Sequence, residues 1–432
     1  MSKVLDAVAG ALMFACTGRT AFAANQAMIG SGNAAAVALA DKSPMVQSAR
    51  AFLRGRAASL RAKALRDATL DAIDNPNTCV LHRAGVDAAE KGRVIARLNE
   101  AGLVDPADDA SFPGGLVVGV FPPLIDDGSA CPKLPQSFFS APGSYFGGHH
   151  SFPGGLAIHE SFNHLSALSL GAAYRRVYGH SNADGLPEIP SSPAASADPN
   201  FVVDDDILAG APLWHDWAKS IVFQWNADGT EFSELAFGGN GATDDGGAKG
   251  NSKTGAHHII GLAEAMKRGL PAEFVIAQAA AHSNPTSGNE YKVVNWLRAA
   301  AIIAHVDPVA RGYIRLDSKK APRLAPVRAL GSIDLNGAPG SLPNFLVEYT
   351  THALSDSDGT FTVPALVQAQ VLLAKLAPKF GYEPGDTARY NTKYRNPALC
   401  YLTGERLVVL YAAGGLAAMQ AELMKLRKLG VL

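Results

Sequence analysis

Apolar residues recur at three- and four-residue spacing over most of this chain, so helices dominate the expectation. Val46, Phe52 or Leu53, Leu60, Ala64 and Leu70 predict one helix across Ser43 to Ala72, with Ser43 as N-cap and Pro44 at the first helical position. A second helix is predicted over Ala88 to Ala101, closed by Gly102. Ser111 to Gly155 loses the periodicity and becomes rich in Pro, Gly and Phe, which predicts a long irregular connection. The helical pattern returns at Ala157 to Tyr178, where Ile158, Phe162, Leu165 and Leu168 form an apolar side, and at Asp204 to Trp225. Between Ser220 and Phe237, the Asn226-Ala227-Asp228-Gly229 turn flanked by Trp225 and Phe232 predicts a small β-hairpin. A Gly/Asp/Lys-rich loop from Gly238 to Gly255 follows as a flap, then helices over His257–Arg268, Ala272–Ala281 and Lys292–Ala304. Beyond a Pro-rich linker after Asp317, helices are expected over Val363–Ala377 and Gly404–Leu429.

Composition narrows this. The 432 residues carry a formal net charge of −1, with 47% hydrophobic and 18% charged residues, an ordinary globular balance. No basic excess is available to bind a nucleic-acid backbone, so a small substrate in a pocket fits better. Lys3, the apolar run Val4 to Ala15 and Ala21-Phe22-Ala23 resemble a secretory signal peptide over residues 1–23, which implies a periplasmic or secreted protein; the alternative is an N-terminal amphipathic helix in a cytoplasmic one. No later run reaches the ~20 uninterrupted apolar residues of a spanning helix. Cys79 and Cys131, each in a Pro-flanked loop, are either a disulfide suited to export or two free thiols.

The chemistry concentrates between His149 and Asp307, where ten of the twelve histidines fall. His215 and Asp216 are adjacent in the middle. Successive helical residues point ~100° apart, so both reach one site only at a helix edge or end. Imidazoles and carboxylates this far apart in sequence converge when separate helices of a bundle face inward. His164, His180 and His305 fit no ligand order and are expected to be structural.

The motifs HHSFPGGLAIHE, LWHDWAK, AAAHSNP and AHVDP, in that order, resemble the HD superfamily of metal-dependent phosphohydrolases over His149 to Arg311. The opening motif and the hairpin after HDxxK are most similar to the branch with certain 3′–5′ exoribonucleases and relaxase-associated HD domains. The resemblance implies an HD-type helical bundle at 146–316 with a small β-hairpin insertion. The flanks carry no resemblance, and their periodicity adds an N-terminal helical and loop region at 24–145 and a C-terminal helical region at 317–432, a mainly α fold throughout. The resemblance makes His159 the first metal ligand, His215 and Asp216 the central pair, His282 a ligand of a second metal, Asp307 the closing ligand, and Lys219 a contact to the scissile phosphate. The third histidine is His257 or His258: the first has the family's spacing to Gly261, the second lies nearer the apolar stripe of Ile259, Leu262 and Met266. Two departures stand out. His282 is followed by Ser283 where related dinuclear members carry a second histidine, and Trp217 replaces a small aliphatic, where an indole beside the metals would narrow the pocket or stack on a base.

One or two divalent cations (Mn, Fe, Mg, Ni or Zn) and a small phosphorylated substrate are therefore expected. Such a site lowers the pKa of a bound water, and the cations with Lys219 offset charge on phosphoryl oxygens. Asp216, Lys219, His149 and His150 carry the catalytic roles on this reading, the last two as groups that orient substrate or protonate a leaving group. Two other readings share the ligand order: an HD-type di-iron oxygenase and a non-catalytic metal-binding protein.

Overall fold

The computed structural model describes residues 29–191, 201–239, 251–285, 289–326 and 346–432. The signal-like segment, the centre of the flap and the linker after 326 lie outside these residues. The fold is mainly α, with two small antiparallel strand pairs.

The N-terminal pattern resolves into α1 (Asn33–Ala40), α2 (Pro44–Ala58), α3 (Lys63–Asp74) and α4 (Ala88–Glu100). Ser43 caps α2 by accepting from Val46 N–H at 3.3 Å. The single helix expected from Ser43 to Ala72 is broken at 59–62 by a tertiary partner. Both carboxylate oxygens of Asp206 accept backbone N–H groups, from Arg61 at 2.9 Å and Ala62 at 2.7 Å, so α3 starts with its free amides satisfied from a distant element. Gly102, at φ +69°, ends α4 as expected and lets Leu103 N–H reach Leu98 O at 2.9 Å. Within the irregular connection a short helix, Gly115–Val120, was not anticipated.

The centre is built by α5 (Gly155–Tyr178) and α6 (Asp205–His215), with α7 (Ala256–Lys267), α8 (Ala272–Ala279), α9 (Glu290–Ala304) and α10 (Val347–Ser355) around them. The inward face of α5 takes in only part of its apolar stripe: Ile158 is buried and Leu168 packs against the core. Phe162 and Leu165 are each 52% exposed, whereas His159, Glu160, Asn163, His164 and Ala167 are buried. The helix is turned so that hydrogen-bonding groups face the core, which is tolerable only because the facing helices supply partners. At the α5–α6 contact, a Cβ on Gly171 would stand 2.2 Å from Leu208 Cδ1, so this glycine sets the helix separation.

The helix expected over Asp204 to Trp225 stops at His215; a short turn, Lys219–Val222, follows. The expected hairpin is present as a tight reversal with a bridge between Trp225 and Glu231 and Gly229 at φ +79°. Strand β1 (Ala236–Phe237) pairs with β2 (Thr254–Gly255), joining the two ends of the flap, and β3 (Ile314–Leu316) pairs with β4 (Pro322–Leu324). The C-terminal part adds α11 (Gly359–Leu376) and α12 (Gly404–Lys428), packed on each other. One contiguous hydrophobic core runs from Ala40 to Leu426, so the C-terminal helices share it with the centre.

Cys79 and Cys131 form a disulfide with Cα atoms 5.4 Å apart, and Cys400 is free and buried. Among the described residues two helical stretches, Val347–Phe380 and Gly404–Lys428, are long and apolar enough by length and mean hydropathy to cross a membrane. The first is divided at Asp356 and Asp358, which face the centre described next.

Candidate metal centre

Four helix ends and one helix face meet at a buried cluster. His159 sits in the first turns of α5. His215 is the last residue of α6 and Asp216 its C-cap (φ −105°, ψ 4°), the helix-end placement that lets adjacent residues share one site. His257 opens α7, His282 follows α8, and Asp356 follows α10. Three glycines shape the approach. Gly154 at φ +87° starts α5, and a Cβ on Gly155 would lie 1.8 Å from His150 O, so the PGG sequence lets the His149-His150 loop press on the helix; Gly143 N–H holds the same carbonyl at 3.0 Å.

The donor atoms converge. His159 Nε2 lies 3.2 Å from Asp216 Oδ2 and 3.2 Å from Asp356 Oδ1; His215 Nε2 lies 3.3 Å and 3.1 Å from the same two oxygens. Donors around one cation at about 2.1 Å stand about 3.0 Å apart when octahedral and about 3.4 Å when tetrahedral, and all four edges fall in that interval. The other Asp216 oxygen turns away: Oδ1 is 3.2 Å from His257 Nε2, and Asp216, His257 and His282 offer donors within 4.8 Å of one another. Asp216 thus faces two adjacent subsites, one oxygen to each.

The opposite ring nitrogens are fixed from behind. His159 Nδ1 pairs with Asp358 Oδ2 at 3.2 Å, His257 Nδ1 with Glu234 Oε2 at 2.7 Å, His215 Nδ1 with Pro212 O at 3.1 Å and His282 Nδ1 with Thr254 Oγ1 at 2.8 Å. A hydrogen-bonded Nδ1 that leaves Nε2 aimed inward is how metal-binding histidines are oriented. His159 Nε2, His257 Nε2 and Asp216 Oδ1 are buried without a hydrogen-bond partner. Orphaned polar atoms at such depth are costly unless something else binds them, and the donor set, imidazole and carboxylate without thiolate, fits divalent first-row cations.

Charge follows the geometry. Burial would depress His159, His215 and His257, but the facing carboxylates outweigh it and raise all three. Burial would raise Asp216 and Asp356; the surrounding imidazoles, with Lys219 beside Asp216, hold both well below the usual carboxylate range. Glu160, against His215, is pushed up to about 8 by burial. Lys219 is buried, with its ammonium bonded to Asp216 Oδ2 and to Gly143 O.

The expected residues divide as follows. His159, His215, Asp216, His257, His282 and Lys219 come together, with His149 and His150 adjoining on the His159 side. Of the neighbouring pair, His257 points at Asp216. His258 instead stacks on His282 at 4.0 Å and bonds Ala279 O at 3.2 Å, because ~100° of helix rotation separates the two rings. Asp307 is outside the cluster: it is exposed and accepts Val309 and Ala310 N–H groups at 2.9 and 3.1 Å as a turn cap. The aspartate that does meet these imidazoles is Asp356, from beyond the linker. Trp217 does not line the site; fully buried, it packs against Trp214 and donates to Ala72 O at 2.9 Å. His164 and His305 are structural, the first between Arg56 and Ala209 O, the second an αL C-cap of α9. Asp356, Asp358, Glu234 and Glu160 were not anticipated. The only sequence signal for the first two is an Asp-Ser-Asp at a helix end.

Compared with known proteins, the chain matches no family model, no curated protein and no solved structure.

Proposed function

We propose that this chain is a metal-dependent phosphohydrolase of HD type, acting on a small phosphomono- or phosphodiester at a dinuclear centre. One observation carries the proposal: the carboxylate of Asp216 presents separate oxygens to two imidazole-lined subsites, as a bridging ligand must. His159, His215, Asp216 and Asp356 would hold one cation, and Asp216, His257 and His282 the other. Cations there would supply acidification of a water and neutralisation of phosphoryl charge.

The protein's own groups set the rest. Asp358, Glu234 and Thr254 fix the imidazoles so that their Nε2 atoms stay preorganised. Among the described residues Lys219 brings an ammonium to the cluster, bonded to Asp216 Oδ2 and Gly143 O, where it would add positive charge beside a phosphoryl group held by cations there; that favours phosphoryl chemistry over the oxygenase reading. His149, partly exposed and held neutral by burial and by the neighbouring His159 and Lys219, lies on the open side, where its neutral ring would orient substrate through a hydrogen bond. Solvent reaches the cluster past the partly exposed His149, His282 and Asp356. The Cys79–Cys131 disulfide and the signal-like N-terminus support export, and so an extracytoplasmic pool of substrate.

The test is metal analysis of purified protein, then anaerobic turnover of p-nitrophenyl phosphate and bis-p-nitrophenyl phosphate with Mn2+ or Mg2+. Hydrolysis that Asp216→Ala abolishes is expected. Oxygen uptake with iron and no phosphoester turnover would replace the reading with the oxygenase; bound metal with neither activity would replace it with a non-catalytic role.

A further inference from the structure

On the far side of the His159 ring lies a second group of donors that neither subsite of the dinuclear centre takes as ligands. His149 Nδ1 and His150 Nδ1 are 3.3 Å apart, and His150 Nδ1 is 3.9 Å from Asp358 Oδ2. His149, His150, His159 and Asp358 offer donor atoms within 4.8 Å of one another. The Asp358 side chain is 3% exposed, and its Oδ1 has no hydrogen-bond partner. His150 is 3% exposed and is one of few non-glycine residues at positive φ, +52°. Its carbonyl is pinned by Gly143 and Phe152 N–H groups at 3.0 and 2.8 Å, so the strained backbone holds the ring where it is. Its Nε2 faces Glu405 Oε1 at 3.6 Å, the same imidazole-to-carboxylate backing seen behind His159 and His257.

We infer that His149, His150 and Asp358 form a third cation site, taking a divalent first-row transition ion such as Zn2+ or Mn2+. Two imidazoles and one carboxylate are a common donor set for these ions, and they leave positions open for water. Asp358 serves two sites at once: Oδ2 orients His159, and Oδ1 is free for the third ion. The two Nδ1 atoms stand 3.3 Å apart and the nearer Asp358 oxygen, Oδ2, 3.9 Å from His150 Nδ1, wider than the 3.1 to 3.3 Å of the first subsite, so this ion should bind more weakly than the one there. Once bound, it ties the His149-His150 loop to the start of α11, on which Asp358 is the N-cap residue.

The experiment titrates chelator-treated full-length protein with Zn2+ and counts bound ions by native mass spectrometry, with Co2+ absorption as a second readout. Wild type should saturate at three ions, the third at least tenfold weaker, and His149→Ala at two, with far-UV circular dichroism unchanged. His149 is partly exposed, so its removal leaves the core intact. Saturation of wild type at two ions overturns the third site while leaving the dinuclear reading standing. Retention of three ions by His149→Ala overturns it as well. If His149→Ala loses one ion while Asp216→Ala loses none, the third site holds and the dinuclear reading fails.

Discussion

The sharpest discrimination lies between two aspartates, Asp356 and Asp307. Asp356→Ala deletes Oδ1, which lies 3.2 Å from His159 Nε2 and 3.1 Å from His215 Nε2. If a first-subsite cation is held by about 10–16 kcal/mol in total, as structural zinc is, an equal share for each of four donors is about 2.5–4 kcal/mol. At 1.4 kcal/mol per tenfold, that is a loss of roughly 10²–10³ in affinity. Asp307→Ala deletes only the acceptor for two exposed turn amides, 2.9 and 3.1 Å away. It should cost about 0.5–1 kcal/mol of stability and leave metal affinity untouched. Competition with a fluorescent zinc chelator measures the affinities, and urea denaturation the stabilities. Wild-type affinity in Asp356→Ala together with metal loss in Asp307→Ala would refute the placement of the closing ligand.

Other expectations follow from the same geometry. His257→Ala should lose the second ion, while His258→Ala should keep it and lower stability by about 1–3 kcal/mol through the emptied stack on His282, as thermal melts with metal counts would reveal. Lys219→Met should retain both ions of the dinuclear centre yet lower kcat on phosphoesters by about 10²–10³-fold, the range for removing a group that stabilises transition-state charge; unchanged kcat would remove Lys219 from the chemistry. The raised imidazoles must lose protons before binding, so metal affinity should keep climbing with pH above their ordinary 6.5. In chelated protein these same imidazoles contribute stability below 6.5 that is lost as pH rises through their folded values. Asp216 and Asp356 contribute above 3.8 and lose it as pH falls through theirs. The melting-temperature gain on adding metal should therefore widen with pH; a gain flat from pH 6 to 9 would contradict it. Reducing Cys79–Cys131, which closes a 52-residue separation, should cost about 4 kcal/mol on the chain-entropy estimate, measured by denaturation with and without dithiothreitol.

Much of this architecture was legible locally. Ser43 and Pro44 announce α2, Gly102 ends α4, and the adjacency of His215 and Asp216 requires a helix end, because each rests on backbone stereochemistry within a few residues. The order of His159, His215, Asp216 and His282 along the chain already marked them as candidate ligands, and the fold brings all four to the cluster. What tertiary structure decided has a different character. The apolar stripe of α5 located only part of the inward face: Ile158 and Leu168 meet the core, but Phe162 and Leu165 are turned out because buried imidazoles with partners on other helices take their side. The choice of His257 over His258 turns on which side of α7 meets Asp216, and both residues are buried, so hydrophobicity does not separate them. Asp356 over Asp307 is the clearest case. Closing a longer connection costs little extra free energy, so the ligand need not be the nearest aspartate in sequence. Only the packing of α10 against α5 and α6 brings the distant carboxylate to the imidazoles.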